Sequence, residues 1–110
     1  MTANQDSLIV TLIEQLKAPE LTVRIHAGFL LGQMGMQARA ALPTLLELRR
    51  SEDVHDRRLA AMTLGTLAHD LAEAVPPLLN ALHDEDDTVR GLAAEALQEM
   101  APAYEHLRAA

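Results

Sequence analysis

The chain has 110 residues, of which 49% are hydrophobic and only 2% aromatic. It has no cysteine, which excludes disulfides, thiol nucleophiles and thiolate metal sites. The formal net charge of −7 argues against binding to a nucleic-acid backbone, which needs clustered Lys and Arg. The apolar residues are mainly Ala, Leu, Val, Ile and Met, so we expect one domain rich in helix. No signal pattern and no membrane-length apolar run is present, and the expected location is the cytoplasm.

An internal repeat of 33 residues organises the chain. Three segments align without a gap, and their columns agree in size and polarity. The columns include Ala27, Ala60 and Ala93; Leu31, Leu64 and Leu97; Arg24, Arg57 and Arg90; and the acidic Glu20, Asp53 and Asp86. The sequence therefore predicts a single domain over 1–110, with units at about 5–35, 38–68 and 71–101 and a tail at 102–110.

Each unit is predicted to contain two helices, because apolar residues recur at spacings of three and four. In chain order the predicted helices are 4–17, 21–35, 39–50, 54–68, 72–83 and 87–100. Gly35 suits a helix end, and Pro43 and Pro76 suit helix starts. Pro102 is predicted to end the last helix, so that Tyr104 and Leu107 fold back over it.

The first helix carries two extra apolar residues, Leu8 and Val10, beside its core stripe. Terminal units of a repeat array need a polar outer face, and this one lacks it. We expect this surface to be buried in a homodimer or against another protein.

Four acidic residues, 84–87, precede the last predicted helix. Carboxylates at a helix N-terminus accept backbone N–H groups, and Asp86 lies four residues before Arg90, within reach of an ion pair. Asp84, Asp86, Thr88 and Glu95 also fit positions 1, 3, 5 and 12 of a calcium loop. The required glycine is replaced by Val89, however, so capping is the favoured interpretation.

Neither a metal site nor a catalytic site emerges from the remaining polar residues. The five histidines do not share repeat columns, and no HxxxH or HExxH pair occurs. Ser7 and Ser51 are the only serines, and neither has a histidine partner fixed by the pattern. The sequence predicts a protein that is not an enzyme and has no cofactor.

A helix, a turn with Asp, and Val-Arg opening an Ala/Leu-rich helix together resemble the HEAT repeat. The resemblance covers about residues 7–100 and is strongest to the bacterial short repeats related to phycobilisome-lyase subunits. It implies an all-α fold, a short α-solenoid of three stacked helical hairpins, with Asp and Arg columns forming a ladder between units. In the second unit Asp56 replaces valine and Arg49 replaces leucine, which predicts looser packing there.

The resemblance also implies that the second helix of each unit lines a concave face. Helical geometry puts three residues of each second helix on the side opposite its core stripe. They are Ile25, Phe29 and Gln33; Arg58, Met62 and Thr66; and Gly91, Glu95 and Glu99. The face is apolar at its N-terminal end and acidic at its C-terminal end. The first six are predicted to bind a partner, with Arg58 as an anchor for an acidic segment. The alternative is that Phe29 tilts between helices and belongs to the core.

Three functions fit this pattern. The first is a non-enzymatic interaction module for a protein or peptide partner, and the second is an accessory subunit of a chromophore-lyase-like or other enzyme complex. The third, a DNA-binding module, needs a basic face, whereas Arg58 is the only basic residue on this one. We therefore expect no nucleic-acid and no membrane partner.

Overall fold

The computed structural model describes the backbone of residues 2–109 and the side chains of residues 5–100. Within that range it contains helices and no strand, which confirms the predicted all-α class. The α-helices are α1 (Thr2–Gln15), α2 (Leu21–Met34), α3 (Leu42–Arg49), α4 (Val54–Leu67), α5 (Val75–Ala81) and α6 (Asp87–Ala109). Two 3₁₀ segments, Gly35–Ala41 and Ala72–Ala74, lead into α3 and α5. None of the described helices has the length and apolarity needed to cross a membrane.

The helices form three antiparallel hairpins, α1–α2, α3–α4 and α5–α6, stacked side by side. The second helices make one layer in which α4 lies between α2 and α6 and packs against both. The assembly is a slab with extents of 43 × 34 × 17 Å. The core lies between the layer of second helices and the first helices, and residues of the aligned repeat columns fill it. Completely buried members are Ala27, Ala60, Ala93, Leu31, Leu45 and Leu78.

Small residues bring the second helices close together. Gly28 and Gly32 of α2 face Thr63 and Thr66 of α4, and a Cβ atom at Gly32 would lie 3.2 Å from the Thr66 side chain. The contact between α4 and α6 is also close, because a Cβ atom at Gly65 would lie 2.9 Å from the Cβ of Ala96. These glycines leave no room for a larger side chain between neighbouring units.

The starts of α3 and α5 come three residues later than predicted. An α-helix from 39 or 72 would need the backbone N–H of Pro43 or Pro76, which proline lacks. The carbonyl of Arg39 instead accepts the N–H of Leu42, three residues on, and the same 3₁₀ spacing occurs at the second site. Gly35 ends α2 as predicted, with φ of 58°, a conformation that favours glycine.

The prediction that Pro102 ends the last helix is wrong, because α6 continues to Ala109. Proline removes one backbone donor from the helix, and here Ala101 and Ala103, the strongest helix formers, flank it. A continuous α6 does not fold back over its own end. The side chains of Tyr104 and Leu107 lie outside the described residues.

Candidate protein-binding face

The arginine column ties each unit together at the turn between its two helices. Nη1 of Arg24 donates to the carbonyls of Ala18 and Pro19 at 2.8 and 3.0 Å. Nη1 of Arg57 donates to those of Ser51 and Glu52, and Nη1 of Arg90 to that of Asp84. Each arginine thus satisfies carbonyls just after the first helix of its own unit, where helices leave unpaired acceptors.

Arg24 and Arg57 reach acidic residues of the next unit, so a ladder between units forms, but its nearest acidic partners, Asp56 and Asp84, lie outside the predicted acidic column. Nε of Arg24 lies 3.2 Å from Oδ1 of Asp56, a charge contact without hydrogen-bond alignment, and Nη2 lies 4.0 Å from Asp53. Nε of Arg57 donates to Oδ2 of Asp84 at 3.0 Å. Ser51 Oγ also donates to Asp56 at 2.9 Å within the second unit, so the residue that replaces valine has polar partners in its own unit and in the one before.

The acidic turn before α6 is structural. Oδ2 of Asp86 accepts the N–H of Val89 at 3.0 Å and caps the helix, as predicted. The predicted local pair with Arg90 is wrong, because Asp86 accepts two hydrogen bonds from Nε and Nη2 of Arg58, both 3.0 Å. Arg90 pairs with Asp87 instead. Across the described residues no three His, Asp or Glu side chains are grouped to hold a metal.

The Arg58–Asp86 contact changes the electrostatics of both groups. The hydrogen bonds from Arg58, together with that from the Val89 backbone, lower the pKa of Asp86 from 3.8 to about 2, against the opposing effect of desolvation. The same contact raises the pKa of Arg58. The guanidinium, 38% exposed, is therefore already neutralised by a carboxylate of the next unit.

The side of the second helices opposite their core stripe, which we call the inner face, has the exposed apolar residues that helical geometry predicted. Ile25 is 42% and Phe29 is 55% exposed, and neither packs against the core, which rules out the alternative of a core Phe29. Gln33 and Thr66 are also exposed, whereas Met62 is half-buried against the core. Of the six predicted residues, Ile25, Arg58, Met62 and Thr66 line concavities of this face, whereas Gln33 lines a concavity with Leu8 and Met36.

Two shallow concavities lie along this face. The first, of ≈ 260 Å³, is bounded by Ile25 of α2, by Arg58 and Met62 of α4 and by Leu92 of α6. The second, of ≈ 330 Å³, lies between α4 and α6. Its lining includes Met62, Thr66, His69, Leu92, Glu95 and Glu99. Because Met62 and Leu92 line both, the two concavities form one groove, which we call the inner groove.

Sequence reasoning missed several residues of the inner groove, among them Leu92 and His69. Leu92 shares a repeat column with His26 and Leu59, and the apolar character of two of the three was the available signal. His69 lies just after α4, with Nε2 3.7 Å from Oε1 of Glu99. No column marks it, because the contact depends on how α4 and α6 are placed.

The first unit exposes apolar side chains, as expected. Leu8 is 48% and Val10 is 56% exposed on α1, and Met36, just after α2, is 63% exposed. Leu8 and Met36 line a further concavity at this end of the slab, of ≈ 580 Å³. This exposure gives the molecule a second surface on which a protein could dock.

Comparison with known proteins identifies the family of these stacked hairpins. A search of curated proteins returned no match. A family model described as HEAT repeats matches residues 9–98, which include α2 to α5, half of α1 and about half of α6. The chain belongs to the HEAT-repeat family.

Proposed function

We propose that this protein is a non-catalytic interaction module that binds a protein or peptide partner on the face carrying Ile25, Phe29, Gln33, Arg58, Met62 and Thr66. HEAT repeats generally act as scaffolds for protein interactions. The observation that carries the proposal for this chain is the exposure of Phe29, 55% accessible on a helix whose other large apolar residues mostly pack inward.

An exposed phenylalanine at this position contributes little to folding. The hydrophobic effect rewards only the apolar area removed from water, and more than half of this side chain stays in water. Exposed aromatic side chains are, by contrast, typical carriers of binding energy in protein interfaces. Ile25 extends the apolar surface into the inner groove.

Replacing Phe29 with a photo-crosslinking phenylalanine analogue tests the site directly. The proposal predicts that the tagged protein, irradiated in extracts of its own host, forms a crosslink to one partner. In affinity capture without the crosslinker, Phe29→Glu should abolish recovery of that partner with no change in helical circular dichroism. Leu79→Glu is the matched control, because Leu79 is 49% exposed on α5, away from the inner groove.

Equal loss of the partner with Leu79→Glu would indicate nonspecific hydrophobic capture. Capture that survives Phe29→Glu would place the partner site elsewhere, with the surface around Leu8 and Val10 as the next to test. Unfolding of Phe29→Glu would contradict the exposed position of the ring.

A second candidate function is that of an accessory subunit in a chromophore-lyase-like or other enzyme complex. The family match identifies HEAT repeats without separating their branches, so this candidate stands on the sequence resemblance. The observation that favours it is the presence of two exposed apolar surfaces, one on the inner face and one at Leu8 and Val10. Native mass spectrometry of the captured complex tests it: a stoichiometric enzyme partner would support a subunit, and a non-enzymatic partner would contradict it.

A further inference from the structure

Charge is unevenly divided along the chain. Residues 1–50 hold five Lys and Arg against four Asp and Glu, a net charge of +1. Residues 51–110 hold four Arg against twelve Asp and Glu, a net charge of −8. The C-terminal half therefore produces most of the negative electrostatic potential of the protein, which attracts positively charged partners and repels negatively charged ones.

Part of this negative charge lies in the inner groove. Glu95 and Glu99 are four residues apart on α6, exposed, and line the concavity between α4 and α6. Gly91, one turn earlier on the same side, has open space around its Cα, so the backbone of α6 is accessible there. The apolar floor of the groove comes from Met62 and Leu92.

Little positive charge is available in the groove to offset these carboxylates. Of the residues that line its two concavities, Arg58 is the only Arg and none is Lys. Its guanidinium makes two 3.0 Å hydrogen bonds to Asp86, so it does not serve as the free anchor for an acidic segment that the sequence suggested. Two histidines, His55 and His69, also line the groove, and His69 Nε2 lies 3.7 Å from Oε1 of Glu99.

Resting on the proposed function, we propose that the partner segment held in the inner groove is basic and amphipathic. Its apolar side chains pack on Ile25, Phe29 and Met62, and its Lys or Arg side chains pair with Glu95 and Glu99. Charge complementarity supports this occupant, because the groove is apolar at α2 and anionic at α6. A segment with apolar residues at the α2 end and basic residues at the α6 end pairs with both Glu95 and Glu99.

Exposed ion pairs are individually weak, so the two glutamates set specificity more than affinity. Removing both charges should weaken binding about fivefold at low salt. Since these charges are exposed, salt should screen the pairs and reduce the difference between wild type and variant.

A random-peptide display library, selected on the wild-type protein and then screened for loss of binding to Phe29→Glu, tests the inference without a known partner. Peptides that depend on Phe29 should be enriched in Lys and Arg. Their affinity, measured by fluorescence anisotropy, should fall about fivefold with Glu95→Gln/Glu99→Gln. The matched control is Glu14→Gln/Glu52→Gln, which removes the same charge from exposed residues outside the groove and should change affinity by less than about twofold.

The outcomes separate the two proposals. Phe29-dependent peptides that are neutral or acidic, or that ignore Glu95→Gln/Glu99→Gln, would overturn the basic occupant and leave the binding face intact. Equal weakening by the control pair would mean long-range attraction to an acidic protein and would also overturn it. Basic peptides that depend on Glu95 and Glu99 but not on Phe29 would contradict the proposed face instead. If no selected peptide depends on Phe29, Glu95 or Glu99, both proposals fail.

Discussion

Asp86 shows how much one side chain does at the junction of two units. Its carboxylate caps α6 through the N–H of Val89 and holds Arg58 of the preceding unit with two hydrogen bonds. The Asp86 oxygens, which also fitted a calcium loop, thus accept hydrogen bonds from the protein itself. Asp84, two residues earlier, accepts the N–H of Asp86 and the Nε of Arg57, which fixes the turn.

The lowered pKa of Asp86 predicts a pH-dependent contribution to stability. Because the pKa falls from 3.8 to about 2 on folding, the native state favours the ionised form. This contribution is fully present above about pH 4 and is lost as the pH falls through 2. The difference in unfolding free energy between wild type and Asp86→Asn should therefore shrink between pH 4 and pH 2.

Carbon-13 NMR titration of the Asp86 carboxyl group measures the effect directly. The midpoint should lie near 2 in the wild type and move back towards 3.8 in Arg58→Gln, since the Arg58 hydrogen bonds are the largest cause of the shift. A wild-type midpoint near 3.8 would show that the pair does not form in solution.

Two glycines in the layer of second helices should respond oppositely to the same substitution. Gly91→Ala should raise the unfolding free energy by about 0.5–1 kcal/mol, because alanine favours helix and nothing lies within 4 Å of the added Cβ. Gly65→Ala gains the same propensity but places its Cβ 2.9 Å from that of Ala96. Overpacking costs about 1–3 kcal/mol, so the net change should be destabilising.

Urea unfolding of the two variants and of the wild type measures both changes in unfolding free energy. Gly91→Ala serves as the control for helix propensity, and the difference in unfolding free energy between the two variants reports the crowding at the α4–α6 contact. Stabilisation by both substitutions to the same extent would mean that α4 and α6 lie further apart than in the structure.

The existence of the helices was predictable, because it depends on the local spacing of apolar residues. The residue pairs in contact between units were not predictable from that spacing. The three- and four-residue apolar spacing placed all six helices, and the missing N–H of Pro43 and Pro76 explains why α3 and α5 start late. The ladder arginines followed from one column, but Asp56 and Asp84, two of their partners, do not share a column with each other. Their identity depends on how one hairpin sits on the next.

The inner face was predictable for a similar reason, and its charge balance was not. A 100° step per residue suffices to put Ile25, Phe29 and Met62 on one side of their helices. The neutralisation of Arg58 required the position of Asp86, 28 residues further along the chain and in the next unit. That one contact changes the expected partner segment from acidic to basic.

At the scale of the whole molecule, the negative charge and most of the exposed large apolar side chains lie in opposite halves of the chain. The negative half, residues 51–110, favours basic partners and repels a second copy of itself. The outer surface of the first unit belongs to the half with a net charge of +1 and exposes Leu8, Val10 and Met36. If two copies associate, contact through their first units keeps the two negative halves far apart.

We therefore expect a weak homodimer through the first unit, detectable by sedimentation equilibrium as an average mass that rises with protein concentration. Leu8→Glu should shift the chain towards monomer, because it puts a charge into the apolar contact between the two copies. In the free protein Leu8 is 48% exposed and is therefore available for that contact. Leu79→Glu, at an equally exposed site in the negative half, should leave the association unchanged. Monomer at every concentration would contradict the homodimer and leave Leu8 and Val10 for a different partner, whereas a dimer weakened only by Leu79→Glu would place the contact on α5.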